Sequence, residues 1–135
     1  METLTAVVDT SVIVAFYNKE DGMHERARQL LASAERGEFG RLLLSEHVFD
    51  EAATLVLSRK GSKSALQLGE WLLGSSFEIV FSDERSFKRA WELFHKTDQL
   101  SFTDCFIVGL AGERKAAVLS FDSGFKKIAG IKTIS

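Results

Sequence analysis

The run Leu4-Thr5-Ala6-Val7-Val8 is apolar and partly β-branched, and it stops at Asp9. A run of this kind reads as a strand buried on both faces of a parallel sheet, since one wet face would require alternation with polar residues. In open α/β sheets ligands gather at the carboxyl ends of such strands, where the chain turns into a helix whose first N–H groups are free. Asp9 therefore stands where a carboxylate can hold a cation. The bland alternative is that it caps the short helix beginning near Ser11. Comparable places further along are taken by Asp104, Asp122 and one acid of the pair Asp50 and Glu51, and their repetition favours the cation site.

The rest of the chain continues the alternation that this first strand begins. Residues 12 to 17 form a short apolar helix, followed by the polar break 18 to 22. Asp21 is expected to cap a helix over 23 to 36, on which Ala27, Leu30, Leu31 and Ala34 share a face. A brief strand at 41 to 44 leads to Ser45, a cap for a helix over 46 to 59 with Val48, Ala52, Leu55 and Val56 inward. Residues 60 to 63 read as a turn, 64 to 73 as a helix and 77 to 81 as a strand. Ser82 or Asp83 then opens a helix to 96, with Phe87, Ala90, Trp91 and Phe94 as its expected core face. Ser101 and Asp104 have capping-box spacing ahead of an apolar stretch at 105 to 111, so that helix is buried and its first turn, with Thr103 and Asp104, borders a pocket. A strand over 116 to 121 places Asp122 at its carboxyl end, repeating the geometry of Asp9. A short helix at 123 to 127 and an edge strand at 131 to 134 close the chain. The fold class is α/β: a three-layer α/β/α arrangement around a parallel sheet of about five strands with right-handed crossovers.

Length and composition set the outer bounds. The 135 residues suit a single domain over 1–135, and 10 Gly with no Pro leave no linker to divide it. A lone Cys105 forms no internal disulfide, and no Cys/His spacing suits zinc, so a reducing cytoplasm is the expected compartment. Glu2 near the start, without a basic leader, argues against a signal peptide, and no apolar run is long enough to span a bilayer. A net charge of −2 speaks against general nucleic-acid binding only if the acids are dispersed; gathered at one cation, they leave room for local basic patches.

Spacing alone does not choose between Asp50 and Glu51, which border opposite edges of the buried stripe of their helix. Cys105 lacks a His partner and is a core residue rather than a nucleophile. The Gly61-Ser62-Lys63-Ser64 stretch lacks the upstream glycine and strand of a phosphate loop. Right-handed crossovers carry Asp9, Asp122 and the starts of the intervening helices to one sheet edge. An all-carboxylate set favours Mg²⁺ or Mn²⁺ over zinc. Two such ions about 3.5–4 Å apart activate water and stabilise a leaving oxygen in phosphodiester hydrolysis.

Four segments carry a family resemblance across nearly the whole chain: V-V-D-T-S at 7 to 11, S-E-H-V-F-D-E-A at 45 to 52, L-S-F-T-D-C at 100 to 105 and L-S-F-D-S-G-F at 119 to 125. In order and spacing they resemble the PIN domain family, and within it the VapC-type toxin ribonucleases. The resemblance selects Glu51 over Asp50. It implies that Asp9, Glu51, Asp104 and Asp122 bind the metal and that Ser11 and Ser120 are supporting hydroxyls, although the family often carries Thr where this chain has Ser120. It further implies a metal-dependent endoribonuclease cutting single-stranded or loop RNA, a VapB-like antitoxin that reaches into the pocket, and a homodimer or higher assembly. Arg59, Lys60, Lys63, Lys126 and Lys127 are the candidate RNA-backbone contacts. A haloacid-dehalogenase-like phosphatase needs Asp-x-Asp, and Ser11 occupies the place of its second acid. The remaining alternative is a catalytically silent PIN-fold module that binds RNA or protein; such modules tend to lose acids that this chain keeps.

Overall fold

A computed structural model describes residues 4–135. Glu2, on which the expectation of no leader rests, lies outside the described residues. The elements follow the expected alternation: β1 (Thr5–Val8), α1 (Thr10–Tyr17), α2 (His24–Glu35), β2 (Arg41–Ser45), α3 (Glu46–Lys60), α4 (Ser62–Gly74), β3 (Glu78–Val80), α5 (Glu84–Lys96), α6 (Phe102–Arg114), β4 (Ala117–Leu119), a 3₁₀ turn (Ser123–Lys127) and β5 (Thr133–Ile134). The five strands form one parallel sheet in the order β3-β2-β1-β4-β5. Central β1 is apolar throughout its inner residues because both its faces are covered. Ala6, Val7 and Val8 are fully buried, as are Leu43 and Leu44 on β2 and Val118 and Leu119 on β4. Among the described residues no helix is long and apolar enough to cross a membrane.

Several boundaries move for identifiable reasons. Residues 60 to 63 are not a turn, since α3 continues through Lys60 and α4 begins at Ser62. Gly61 alone reverses the chain between them, at a φ of 90° that favours glycine. Gly40 is also obligatory, because at φ +70° a Cβ would lie 2.0 Å from the carbonyl oxygen of Leu4, which receives the Arg41 N–H that begins the β1–β2 pairing. Asp21 does not cap a helix from residue 23. The helix starts at His24, and the Asp21 carboxylate instead accepts the Met23 N–H at 2.8 Å, closing the turn before it. Ser45, Asp83 and Ser101 do cap α3, α5 and α6 with their side chains, and Asp104 completes the capping box.

The expected core face of α5 is the largest departure. Only Ala90 is buried; Phe87, Trp91 and Phe94 are 51%, 49% and 38% exposed. These rings pack edge-on against Phe102 of α6, so they cluster at the rim of the core and leave an apolar face open.

Candidate active site

The strand order reverses at β1: the chain steps to β2 and β3 on one side and returns to β4 on the other. A crevice at the carboxyl ends of the strands follows from that reversal. The register pairs Val8 with Leu119, so the next residues, Asp9 and Ser120, lie level across the two strand ends. Asp122 is two residues further on. It does not repeat the geometry of Asp9, because β4 ends before Ser120 and the chain has already turned.

Asp9 is nearly buried and occupies the N-cap position of α1, yet its side chain makes no capping bond. Its Oδ2 instead accepts two hydroxyls, Ser120 Oγ at 2.7 Å and Ser11 Oγ at 2.8 Å. Each serine is in turn held by the backbone after β4. Phe121 N–H donates to Ser11 Oγ at 3.0 Å and Asp122 N–H donates to Ser120 Oγ at 2.9 Å. Two short relays therefore fix the turn that carries Asp122 relative to the carboxylate of Asp9. Asp122 Oδ1 accepts the Gly124 N–H, which starts the 3₁₀ turn.

Removing one relay gives a test. Ser120 is fully buried, and Ser120→Ala deletes a hydrogen bond to a buried carboxylate while orphaning the Asp122 N–H. It should lower unfolding stability by about 1–3 kcal/mol. Ser120→Thr, which keeps the hydroxyl, should recover most of that. Urea denaturation of the three proteins reads the difference, and an alanine form as stable as the parent shows that the relay holds nothing.

Asp9, Glu51, Asp104 and Asp122 line one cleft of about 480 Å³. Glu51 reaches it from α3, while Asp50 is exposed elsewhere, which settles the ambiguity that helical spacing leaves. Asp104 comes from the first turn of α6, where its Oδ2 accepts the Ser101 N–H. Ser101, rather than the expected Thr103, is the hydroxyl residue of that turn lining the cleft. Of the basic residues, Arg59 lines the cleft; Lys60, Lys63, Lys126 and Lys127 are exposed outside it. Asp21, Met23, Val14 and Leu55 also line it, and no periodicity singles out Asp21 or Met23 from the loop that holds them. A larger groove of about 860 Å³ between α2 and α4 is lined by Phe16, Leu31, Trp71 and Phe77 together with Glu35, Glu70 and Arg28, and it holds two carboxylates where the crevice at the strand ends holds five.

The electrostatics fit a gathering of like charges. Burial pushes the Asp9 carboxyl above its ordinary range, the Ser120 and Ser11 hydrogen bonds pull against it, and the charge of Asp122 adds to the rise. Asp104 is pushed up to about 6, first by burial and then by repulsion from Asp9 and Asp122, with the Ser101 N–H opposing. Among the described residues none of the four acids makes an ion pair. Nor are three acid, His or Cys side chains already close enough to form a metal cage among those residues. The donors themselves, carboxylates and hydroxyls, suit a hard cation, and Thr10, also in the cleft wall, has a buried hydroxyl with no partner among the described residues. Cys105 next to Asp104 is fully buried and its thiol is pushed up to about 11, chiefly by that burial, so it is inert core.

A parallel sheet in this order, with an acid-lined crevice at its switch point, defines a PIN-like α/β fold. The chain belongs to the PIN domain family, whose model matches residues 6–131. It is 27% identical over 125 residues to a VapC ribonuclease of Archaeoglobus fulgidus, covering 90% of this chain and 80% of that one. In fold it is similar to VapC20 of Mycobacterium tuberculosis, described as a Sarcin-Ricin loop cleaving toxin, with TM-score 0.78 and 24% identity over 87% of this chain and 90% of that chain. It is also similar to VapBC2 of Rickettsia felis bound to a promoter DNA fragment, with TM-score 0.72 and 19% identity over 97% and 98% of the two chains.

Proposed function

We propose that residues 1–135 act as one nuclease domain, a divalent-metal-dependent endoribonuclease that is the toxin of a type II toxin–antitoxin pair in the cytoplasm. The observation that carries this reading is the uncompensated charge. Asp9, Glu51, Asp104 and Asp122 line one cleft without an ion pair among the described residues, and two of them are buried. Such an arrangement costs folding energy and is made good by a cation that binds the folded state.

In this reading the four acids are the ligand set. Asp9 is the fixed ligand, oriented by Ser11 and Ser120, and half-exposed Glu51 on α3 is the one with freedom to close in. A bound Mg²⁺ or Mn²⁺ ion supplies a water of lowered pKa and positive charge to offset the oxyanion of phosphodiester hydrolysis. Arg59 at the cleft wall takes a backbone phosphate, and Lys60, Lys63, Lys126 and Lys127 add attraction from outside it. The name of the Archaeoglobus relative supports ribonuclease activity, and the VapBC complex among the fold relatives supports a VapB-like antitoxin. An antitoxin Arg inserted among the carboxylates is the expected block, since its guanidinium fork matches them. A homodimer or higher assembly would cover the open aromatic face of α5.

The test is cleavage of a single-stranded RNA pool with Mg²⁺ or Mn²⁺ and with EDTA. Cleavage should appear with the metal, vanish with EDTA and return on adding metal back. Cleavage indifferent to EDTA, or none in any metal, overturns the proposal.

A further inference from the structure

The four proposed ligands are only part of the cleft lining. Val14 of α1, Leu55 of α3 and Met23 also line it, as do a fifth carboxylate, Asp21, and one guanidinium, Arg59. Glu51, Leu55 and Arg59 follow one another at four-residue spacing along α3, so the cleft runs down one helix face from the proposed metal ligands for roughly 12 Å. Met23 is 41% exposed there, a large apolar side chain on a loop that gains nothing for the core by its position.

We infer that these residues form a nucleobase subsite, with Met23 and Leu55 as its apolar faces and Asp21 as the group that reads a guanine. The inference rests on the proposed reading of the cleft as an RNA site. A carboxylate repels phosphate and accepts hydrogen bonds only, so at the mouth of an RNA cleft it selects a base edge rich in N–H groups. Guanine is the base that places two adjacent donors, N1–H and N2–H, on its Watson–Crick edge, matching two carboxylate oxygens. Arg59 is then left for the phosphate.

The Asp21 carboxylate is also held in place. Its Oδ1 accepts the Met23 N–H at 2.8 Å, its backbone N–H donates to the Asn18 carbonyl at 3.0 Å, and its own carbonyl receives the His24 N–H at 2.9 Å. Asn18 Oδ1 in turn accepts the Glu20 N–H, and His24 Nδ1 lies 2.8 Å from the Ala15 carbonyl oxygen. A reading group needs such a fixed loop, because discrimination between bases depends on donors and acceptors that do not re-aim.

The experiment compares the full-length parent with Asp21→Asn and Met23→Ala on short single-stranded RNAs carrying guanosine, inosine or adenosine at one varied position. Inosine lacks only the N2 amino group. Cleavage efficiency and, with Ca²⁺ replacing Mg²⁺, binding by fluorescence anisotropy are both read. For the parent, guanosine should exceed inosine by about 10-fold and adenosine by about 10- to 100-fold at the best position, from loss of one or both hydrogen bonds of a bidentate pair. Asp21→Asn should flatten that order, and its amide oxygen can still accept the Met23 N–H, so the loop should persist. Met23→Ala should weaken all three RNAs alike. A parent that cleaves or binds with no guanosine preference at any position overturns the subsite, as does an Asp21→Asn protein that keeps the parent's order. A parent with guanosine-selective binding and no cleavage in any metal sinks the nuclease reading and leaves the subsite standing. If Asp21→Asn impairs only binding of a protein partner, this part of the cleft is a protein contact and the RNA assignment is wrong.

Discussion

Asp9→Asn should abolish RNA cleavage, with a loss of at least about 100-fold at saturating Mg²⁺, since it removes the fixed ligand of the proposed metal site. The effect should be chemical rather than structural. The asparagine oxygen can accept from Ser11 and Ser120 as Oδ2 does, and replacing a buried carboxylate by an amide removes a desolvated charge. The metal-free variant should therefore unfold no earlier than the parent. Induced expression of the parent should arrest growth, and expression of Asp9→Asn should not. A variant that is folded by circular dichroism and still cleaves at the parental rate removes Asp9 from the site, and equal toxicity of both proteins removes the nuclease explanation of that toxicity.

The second large effect joins metal, pH and stability at Asp104. Its carboxyl is pushed up to about 6 in the folded protein from an ordinary 3.8. The folded state thus binds this proton more tightly than the unfolded chain, and the ionised form is a penalty on folding. That penalty is complete above about pH 6 and fades as the pH falls from 6 toward 4, below which both states are protonated. Asp9, raised by burial, has the same sign. Glu46 has the opposite sign: Ser82 donates its hydroxyl and its N–H to the Glu46 carboxylate and lowers it, so its stabilisation is lost only as the pH drops below 4.5. In EDTA the protein should therefore melt higher at pH 5 than at pH 7. Added Mg²⁺ or Mn²⁺ should reverse the order, raising the melting temperature most at pH 7, where the ligands are ionised.

Asp104→Asn should flatten that pH response and stabilise the metal-free protein at pH 7 by about 1–2 kcal/mol, discounted for partial solvent screening. Its side-chain oxygen can still accept the Ser101 N–H, so the capping box survives. The same variant should gain little from metal and lose cleavage. Differential scanning calorimetry at the two pH values, with and without metal, separates the cases. If the variant unfolds in EDTA yet cleaves normally per folded molecule, Asp104 is only the capping residue of α6.

Which acids face the crevice was decided by three-dimensional placement. Asp9 has the sequence and backbone of an N-cap, but its Oδ2 is taken up by the hydroxyls of neighbouring Ser11 and of Ser120, which lies just past β4 and is distant in sequence, rather than by the helix N–H groups. Asp50 and Glu51 are adjacent on the chain and lie on opposite edges of one helix stripe; which edge faces the crevice depends on where α3 lies against α1 and α6, and periodicity carries no such information. The aromatic face of α5 shows the same limit in reverse. Phe87, Trp91 and Phe94 have the spacing of a buried stripe, but spacing reports that residues share a face, not that anything covers it.

What the sequence determined by itself is therefore the local and the periodic. The apolar runs set the strands, the caps Ser45 and Ser101 set two helix starts and narrowed a third to Ser82 or Asp83, and the strand–helix alternation set a parallel sheet, because each follows from steric, hydrogen-bonding and burial rules acting over a few residues. The tertiary structure decided what depends on strand order and register. It put Ser120 rather than Asp122 level with Asp9, brought Glu51 and Asp104 to the same cleft, and added Asp21 and Met23 from a loop with no pattern of its own. The bond between Ser120 and Asp9 joins residues 111 apart, and no short window of the chain contains both partners.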